Sequence, residues 1–139
     1  MGREINQRKA AIIGCGFVGS ATAFTLMQSQ LFSELVLVDV DLDKADGEAK
    51  DIAHGIPFAG QMKIHAGVYE DLSDAAIIIV TAGAGQKPGE TRLDLVHKNV
   101  EIYESIIPRI AEQNKDAISG QMSLFDFVSE EDKQSLEMK

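Results

Sequence analysis

Three apolar runs punctuate the chain: KAAIIG (9–14), LVLVDV (35–40) and AAIIIVT (75–81). None alternates apolar with polar residues, the pattern of strands buried on both faces of a parallel sheet. MKIHA (62–66) is a shorter candidate of the same kind. Between the runs the spacing turns helical, over Phe17 to Gln28 and over Asp43 to His54; Gly55 stops the second helix, and His54 suits its negative end. A longer helical pattern runs from Arg92 to Asn114. Its apolar stripe is Leu95, Val96, Ile102, Ile106, Ile107 and Ile110, and Pro108 is expected to kink or split it. Strands alternating with helices predict an α/β fold with a parallel sheet and right-handed crossovers.

Beyond about residue 118 this pattern breaks. The stretch 119–139 carries five acids (Asp126, Glu130, Glu131, Asp132, Glu137) against Lys133 and Lys139, and Ser119-Gly120 reads as a linker or boundary. Within it, Leu124 to Val128 has strand character and Ser129 can start a short helix. The expected organisation is one domain over 1–118 and an unrelated acidic tail over 119–139.

The 139 residues suffice for one ordinary core. A formal net charge of −9 argues against nucleic acid or an anionic membrane as partner. No apolar run approaches the ~18 residues of a membrane span. The N-terminus lacks a signal-peptide cleavage pattern, and Cys15 is the only cysteine, so a reducing cytoplasm is the expected location.

One motif changes the picture. Gly14-Cys15-Gly16-Phe17-Val18-Gly19 is G-x-G-x-x-G placed directly after a strand and opening a helix. Gly14 permits the tight turn, Gly16 lets a pyrophosphate approach the backbone, and Gly19 allows close packing. The free N–H groups of the helix start suit a diphosphate. Asp39 closes the next strand, 20 residues after Gly19, where a carboxylate accepts from adenosine ribose hydroxyls. A 2′-phosphate would meet that carboxylate, and Val40 rather than an arginine follows, which favours NAD over NADP. The plainer alternative is a turn with packing glycines and a strand-end aspartate. Cys15 reads as a small turn residue, and His54, His65 and His97 lack the spacing of a metal site.

The loop TAGAGQKPGETR (81–92) delivers Arg92 to the first position of the long helix, where its charge opposes the helix dipole unless an anion lies in front of it. Thr91 and Asp94 have capping-box spacing. Taken together, AIIGCGFVGSATAF, ELVLVDVDLDKADGEAKDIAHG and AIIIVTAGAGQKPGETRLDLVHKNVEIYESIIPRI resemble the lactate/malate dehydrogenase family, on its bacterial L-lactate branch, over about residues 9–118.

The resemblance implies a partial Rossmann-type parallel sheet in strand order 3-2-1-4 with flanking helices, truncated before the substrate domain. It implies NAD as cofactor, with Gly14, Gly16, Val18, Gly19, Asp39, Lys44, Tyr69, Gly83, Ala84 and Ser105 at cofactor-contacting positions. It makes Arg92 a catalytic residue that polarises the substrate carbonyl, and places Gln86 and Arg92 at the substrate. Glutamine at 86 points to pyruvate/L-lactate, since an arginine there would pair a second carboxylate. The family's Asn-Pro-Val-Asp segment, its histidine–aspartate pair and its carboxylate-binding arginine have no counterpart in this sequence. An oxidoreductase fragment, inactive until the missing half completes it, is therefore the expectation. The alternatives are a non-catalytic NAD-binding or subunit-interaction module and a recombined gene remnant. A sheet cut after AIIIVT also predicts an open edge, which leaves self-association or aggregation, unless Leu124–Val128 docks there as a substitute strand.

Overall fold

The computed structural model describes residues 4–56, 60–114 and 118–121. Five parallel strands form one sheet: β1 (Asn6–Ile13), β2 (Glu34–Val38), β3 (Lys63–Ala66), β4 (Ala75–Val80) and β5 (Ile118–Gln121). Their order is β3-β2-β1-β4-β5, the expected 3-2-1-4 arrangement extended by one strand. The non-alternating runs have the cause inferred from them. Ala10, Ile12, Leu35 and Leu37 face one core with Ala23 and Met27 of α1 (Phe17–Ser29) and Ala45, Ala49 and Ile52 of α2 (Leu42–Ala53). Their strand neighbours Ala11, Ile13, Val36 and Val38 face the other core, with Ile78, Val80, Leu72 and the residues Ile106 and Ile110 of α3 (Arg92–Gln113). Both faces of the sheet are covered, so both sets of side chains must be apolar.

One expectation is narrowed and another corrected. The helix α3 is not split at Pro108 but runs through it. Pro108 and Glu104, whose carbonyl loses its donor, both lie on the exposed side, where water can serve that carbonyl. The open edge expected at β4 is filled, and by the segment taken as a linker: Ile77, Ile78, Ile79 and Val80 pair with Ile118, Ser119, Gly120 and Gln121. The proposed substitute strand Leu124–Val128 and the acidic helix start lie outside the described residues.

The join from α3 to the sheet rests on a residue with no sequence signature. Buried Asn114 caps α3 and its Nδ2 donates to the carbonyls of Leu72 and Ala75, at 2.8 and 2.9 Å. At the same N-terminal end of the sheet, buried Lys9 places Nζ 2.6 Å from Asp74 Oδ1 and 3.9 Å from Glu34 Oε1, and that oxygen also meets His65 Nε2 at 2.8 Å. His65 is thus a structural residue tying β3 to β2. Asp74→Ala should lower stability by on the order of 1–3 kcal/mol, because it strips a buried ammonium of its nearest partner. Lys9→Met removes that charge while keeping the stem, and should cost less. Urea unfolding of both variants checks the order, and the reverse order would show that the ion pair is not what holds these strand ends.

Candidate dinucleotide site

All five strands point their C-terminal ends the same way, and the strand order reverses between β1 and β4, the place where open α/β sheets bind ligands. A cleft of about 750 Å³ opens there. Its floor is the turn after β1. Gly14 has φ +102°, and a Cβ on it would lie 2.5 Å from the Ala82 nitrogen. A Cβ on Gly19 would lie 1.8 Å from the Gly14 carbonyl oxygen, which also accepts from Thr81 Oγ1 at 2.8 Å. These two glycines are demanded by the protein's own packing.

Gly16 is different. Apart from its two chain neighbours, no residue comes within 4 Å of a Cβ built there, and Gly16 lines the cleft. Its missing side chain leaves space for a ligand rather than for the fold. Gly16 is the N-cap of α1 and has no side chain to cap with, so the first N–H groups of α1 stay available to an anion.

Across the turn, the Asp39 carboxylate is held by two backbone donors: Cys15 N–H to Oδ2 at 2.7 Å and Asp41 N–H to Oδ1 at 2.9 Å. Each carboxylate oxygen has a further lone pair to offer the cleft, the donor-seeking geometry that a ribose diol fits. Cys15 itself is buried, and that burial, with the Asp39 charge beside it, pushes its thiol up to about 11. It is therefore a neutral filler and not a redox group.

Of the residues expected at the cofactor, Gly14, Gly16, Asp39, Lys44, Tyr69, Gly83 and Ser105 line this one cleft. Gly19 is buried in the first turn of α1, against the Gly14 carbonyl. Ala84 sits beside the cleft, its N–H donating to Asn99 Oδ1 at 2.8 Å. Val18 faces elsewhere, into an apolar groove along α1 with Phe17, Ala21, Thr22, Thr25 and Leu26. One face of α3 forms the far wall, through Ile102, Ser105, Ile106 and Arg109 at positions i, i+3, i+4 and i+7. Arg109 escaped sequence reasoning, although that spacing from Ile102 could have found it.

Gln86 and Arg92 do not line the cleft. Gln86 is exposed on the β4–α3 loop, its Nε2 donating to the Glu90 carbonyl at 2.9 Å. Glu90 ties the loop down, accepting from the Lys87 N–H and pairing with Lys98. Arg92 is the exposed first residue of α3 and forms no ion pair among the described residues. The capping box next to it is formed: Thr91 Oγ1 accepts from Asp94 N–H, and Asp94 Oδ2 accepts from Thr91 N–H at 3.0 Å. The Thr91 hydroxyl, which donates to Asp94 Oδ2 at 2.8 Å, and then the Thr91 N–H hold the Asp94 carboxyl below its ordinary value. His54, His65 and His97 all lie outside the cleft lining, and no group of metal-ligating residues occurs among the described residues.

The comparisons agree with this geometry. Residues 8–123 match the family model described as lactate/malate dehydrogenase, NAD binding domain. An L-lactate dehydrogenase of Priestia megaterium is 55% identical over 111 residues, which are 80% of this chain and 35% of that protein. One from Acetivibrio thermocellus is 50% identical over the same shares. Among solved structures, a minor L-lactate dehydrogenase from Enterococcus mundtii in a ligands-bound form superposes with a TM-score of 0.79 at 40% identity, over 83% of this chain and 37% of that one. A malate dehydrogenase from Archaeoglobus fulgidus in complex with NADH gives 0.77 at 41% identity, over 81% of this chain and 39% of its own. The chain thus spans little more than a third of these relatives, and the part it spans is their dinucleotide-binding part. With the sheet order, the glycine turn and the strand-end aspartate all in place, this chain belongs to the NAD-binding domain family of the lactate/malate dehydrogenases.

Proposed function

We propose that the chain supplies the NAD-binding portion of an L-lactate dehydrogenase-type oxidoreductase acting on pyruvate and L-lactate. The observation that carries the cofactor half is the Asp39 carboxylate, fixed by Cys15 N–H and Asp41 N–H at the mouth of a cleft whose floor is Gly14 and Gly16. NAD supplies hydride chemistry when bound. The protein's part is to bind and orient it: the start of α1 takes the diphosphate, Asp39 takes the adenosine ribose, and Lys44, Tyr69, Gly83, Ala84 and Ser105 shape the remainder.

At the substrate end, Arg92 stabilises negative charge on the carbonyl oxygen of a 2-oxo acid. Gln86, neutral, leaves no partner for a second carboxylate, which favours pyruvate over a dicarboxylic acid. Proton transfer in this reading needs a histidine, and none of the chain's three lines the cleft. The unit by itself is an NAD binder, and turnover belongs to a protein that also contains the remainder seen in the relatives.

NADH should therefore quench or shift on titration into the purified chain, with NADPH binding at least several-fold more weakly. Asp39→Ala should weaken NADH roughly tenfold, the scale of hydrogen bonds to a charged group, and narrow the preference. Asp39→Asn, which keeps an acceptor for Cys15 N–H, separates that loss from any loosening of the turn. Equal affinities for both cofactors in the unmodified chain would overturn the role given to Asp39.

A further inference from the structure

The cleft contains a feature that ribose and diphosphate do not explain. Val40, Leu42 and Val68 line it with 102, 57 and 47% of their surface exposed. Three apolar side chains left open in one cleft ask for a flat apolar cover. The same cleft holds an unusual pair. The Arg109 guanidinium carbon lies 3.7 Å from the centroid of the Tyr69 ring, and both residues line the cleft. Tyr69 is half-buried, which pushes its hydroxyl up, against a smaller opposite pull from the Arg109 charge.

A guanidinium stacked on a ring is fixed in plane, with one face covered and the other free. Arg109 sits on the exposed side of α3, so nothing in the core requires it there. With the diphosphate at Gly16 and the ribose at Asp39, the base lies beyond the ribose, and Val40, the chain neighbour of Asp39, lines the same cleft.

We infer that Arg109 is a cofactor-positioning residue: held flat by Tyr69, its guanidinium stacks on the adenine base, against the apolar side formed by Val40 and Val68. This rests on the NAD reading and adds to it a residue and a mode of contact. The stack reads the base as a plane, so the shape of the guanidinium matters more than its charge.

The test titrates NADH, ADP and nicotinamide mononucleotide into the chain and its variants, followed by fluorescence and calorimetry, with melting curves as a control. Arg109→Ala and Arg109→Lys should both weaken NADH and ADP by roughly two- to fivefold, and leave the mononucleotide, which lacks adenine, unchanged. Tyr69→Leu removes the platform and should match Arg109→Ala. An Arg109→Lys variant that binds like the unmodified chain overturns stacking, since charge alone would then suffice. Loss of mononucleotide affinity in step with ADP overturns it too. If the unmodified chain binds neither NADH nor ADP, the NAD reading fails and this inference falls with it; if it binds both while Arg109→Ala changes nothing, this inference alone fails.

Discussion

Gly19→Ala should destroy most of the fold's stability, whereas Gly16→Ala, three residues earlier, should leave stability intact and destroy binding. The added methyl group at Gly19 would lie 1.8 Å from the Gly14 carbonyl oxygen and 2.7 Å from Thr81 Oγ1. The first is a backbone atom, and it cannot retreat easily. Gly14 is itself locked at φ +102° with Ala82 backbone against it, and its oxygen is bonded to Thr81. Relieving the clash means separating α1 from β1 and β4 together. Overpacking of this kind costs about 3 kcal/mol or more, a large share of the ~5–15 kcal/mol that holds a domain together. A methyl group at Gly16 meets nothing within 4 Å beyond its chain neighbours, at a residue that lines the cleft. Its melting temperature should stay within about a degree of the unmodified chain, while NADH affinity falls at least tenfold as the methyl group holds the diphosphate off the N–H groups of α1. Thermal melts and NADH titrations of the two variants test both halves. A normal melt for Gly19→Ala would refute the packing argument, and a lowered melt with normal binding for Gly16→Ala would make Gly16 a folding residue.

That contrast also shows what the sequence could reveal. Gly14, Gly16 and Gly19 look alike in a motif, and only coordinates separate two that the fold needs from one that it leaves free. Strands β1, β2 and β4 were legible because residues buried on both faces must be apolar at every position, a constraint written directly into AAII, LVLV and AIIIV. Strand β5 was not, because ISGQ has no such signature; it becomes a strand by pairing with an edge already in place, which is a tertiary cause. Asn114 was equally silent, since the two carbonyls it satisfies come from residues 42 and 39 positions away. The six-residue 3₁₀ helix Tyr69–Asp74 was missed as well, being fixed by Asp71 Oδ2 accepting from Val68 N–H and not by any apolar period. At the site, the aspartate was readable from its spacing. The orientation of Val18 away from the cleft was not, because a motif position does not specify which side of the first helical turn meets the ligand.

A chain ending at residue 117 should aggregate or melt several degrees lower than one ending at residue 121, although the two differ by only four residues. Those four residues are β5, and they close the hydrogen-bonding edge of β4 from Ile77 to Val80. Without them β4 becomes an edge strand of sequence AAIIIV, with no charge, no proline and a row of unpaired N–H and C=O groups. Such an edge is a template for a second copy. With β5 present, the exposed edge is instead that of Ile118-Ser119-Gly120-Gln121, short and half polar, which is a poorer template. The comparison is internal, because any contribution from residues beyond 121 is absent from both chains. Size-exclusion chromatography across a concentration series should show the shorter chain moving to larger species while the longer one does not. Thermal melts should place the shorter chain lower, by the loss of one four-residue ladder. Identical elution and identical melts would mean that the pairing of β4 with β5 contributes nothing to the fold, and that some other feature keeps the edge of β4 from self-association.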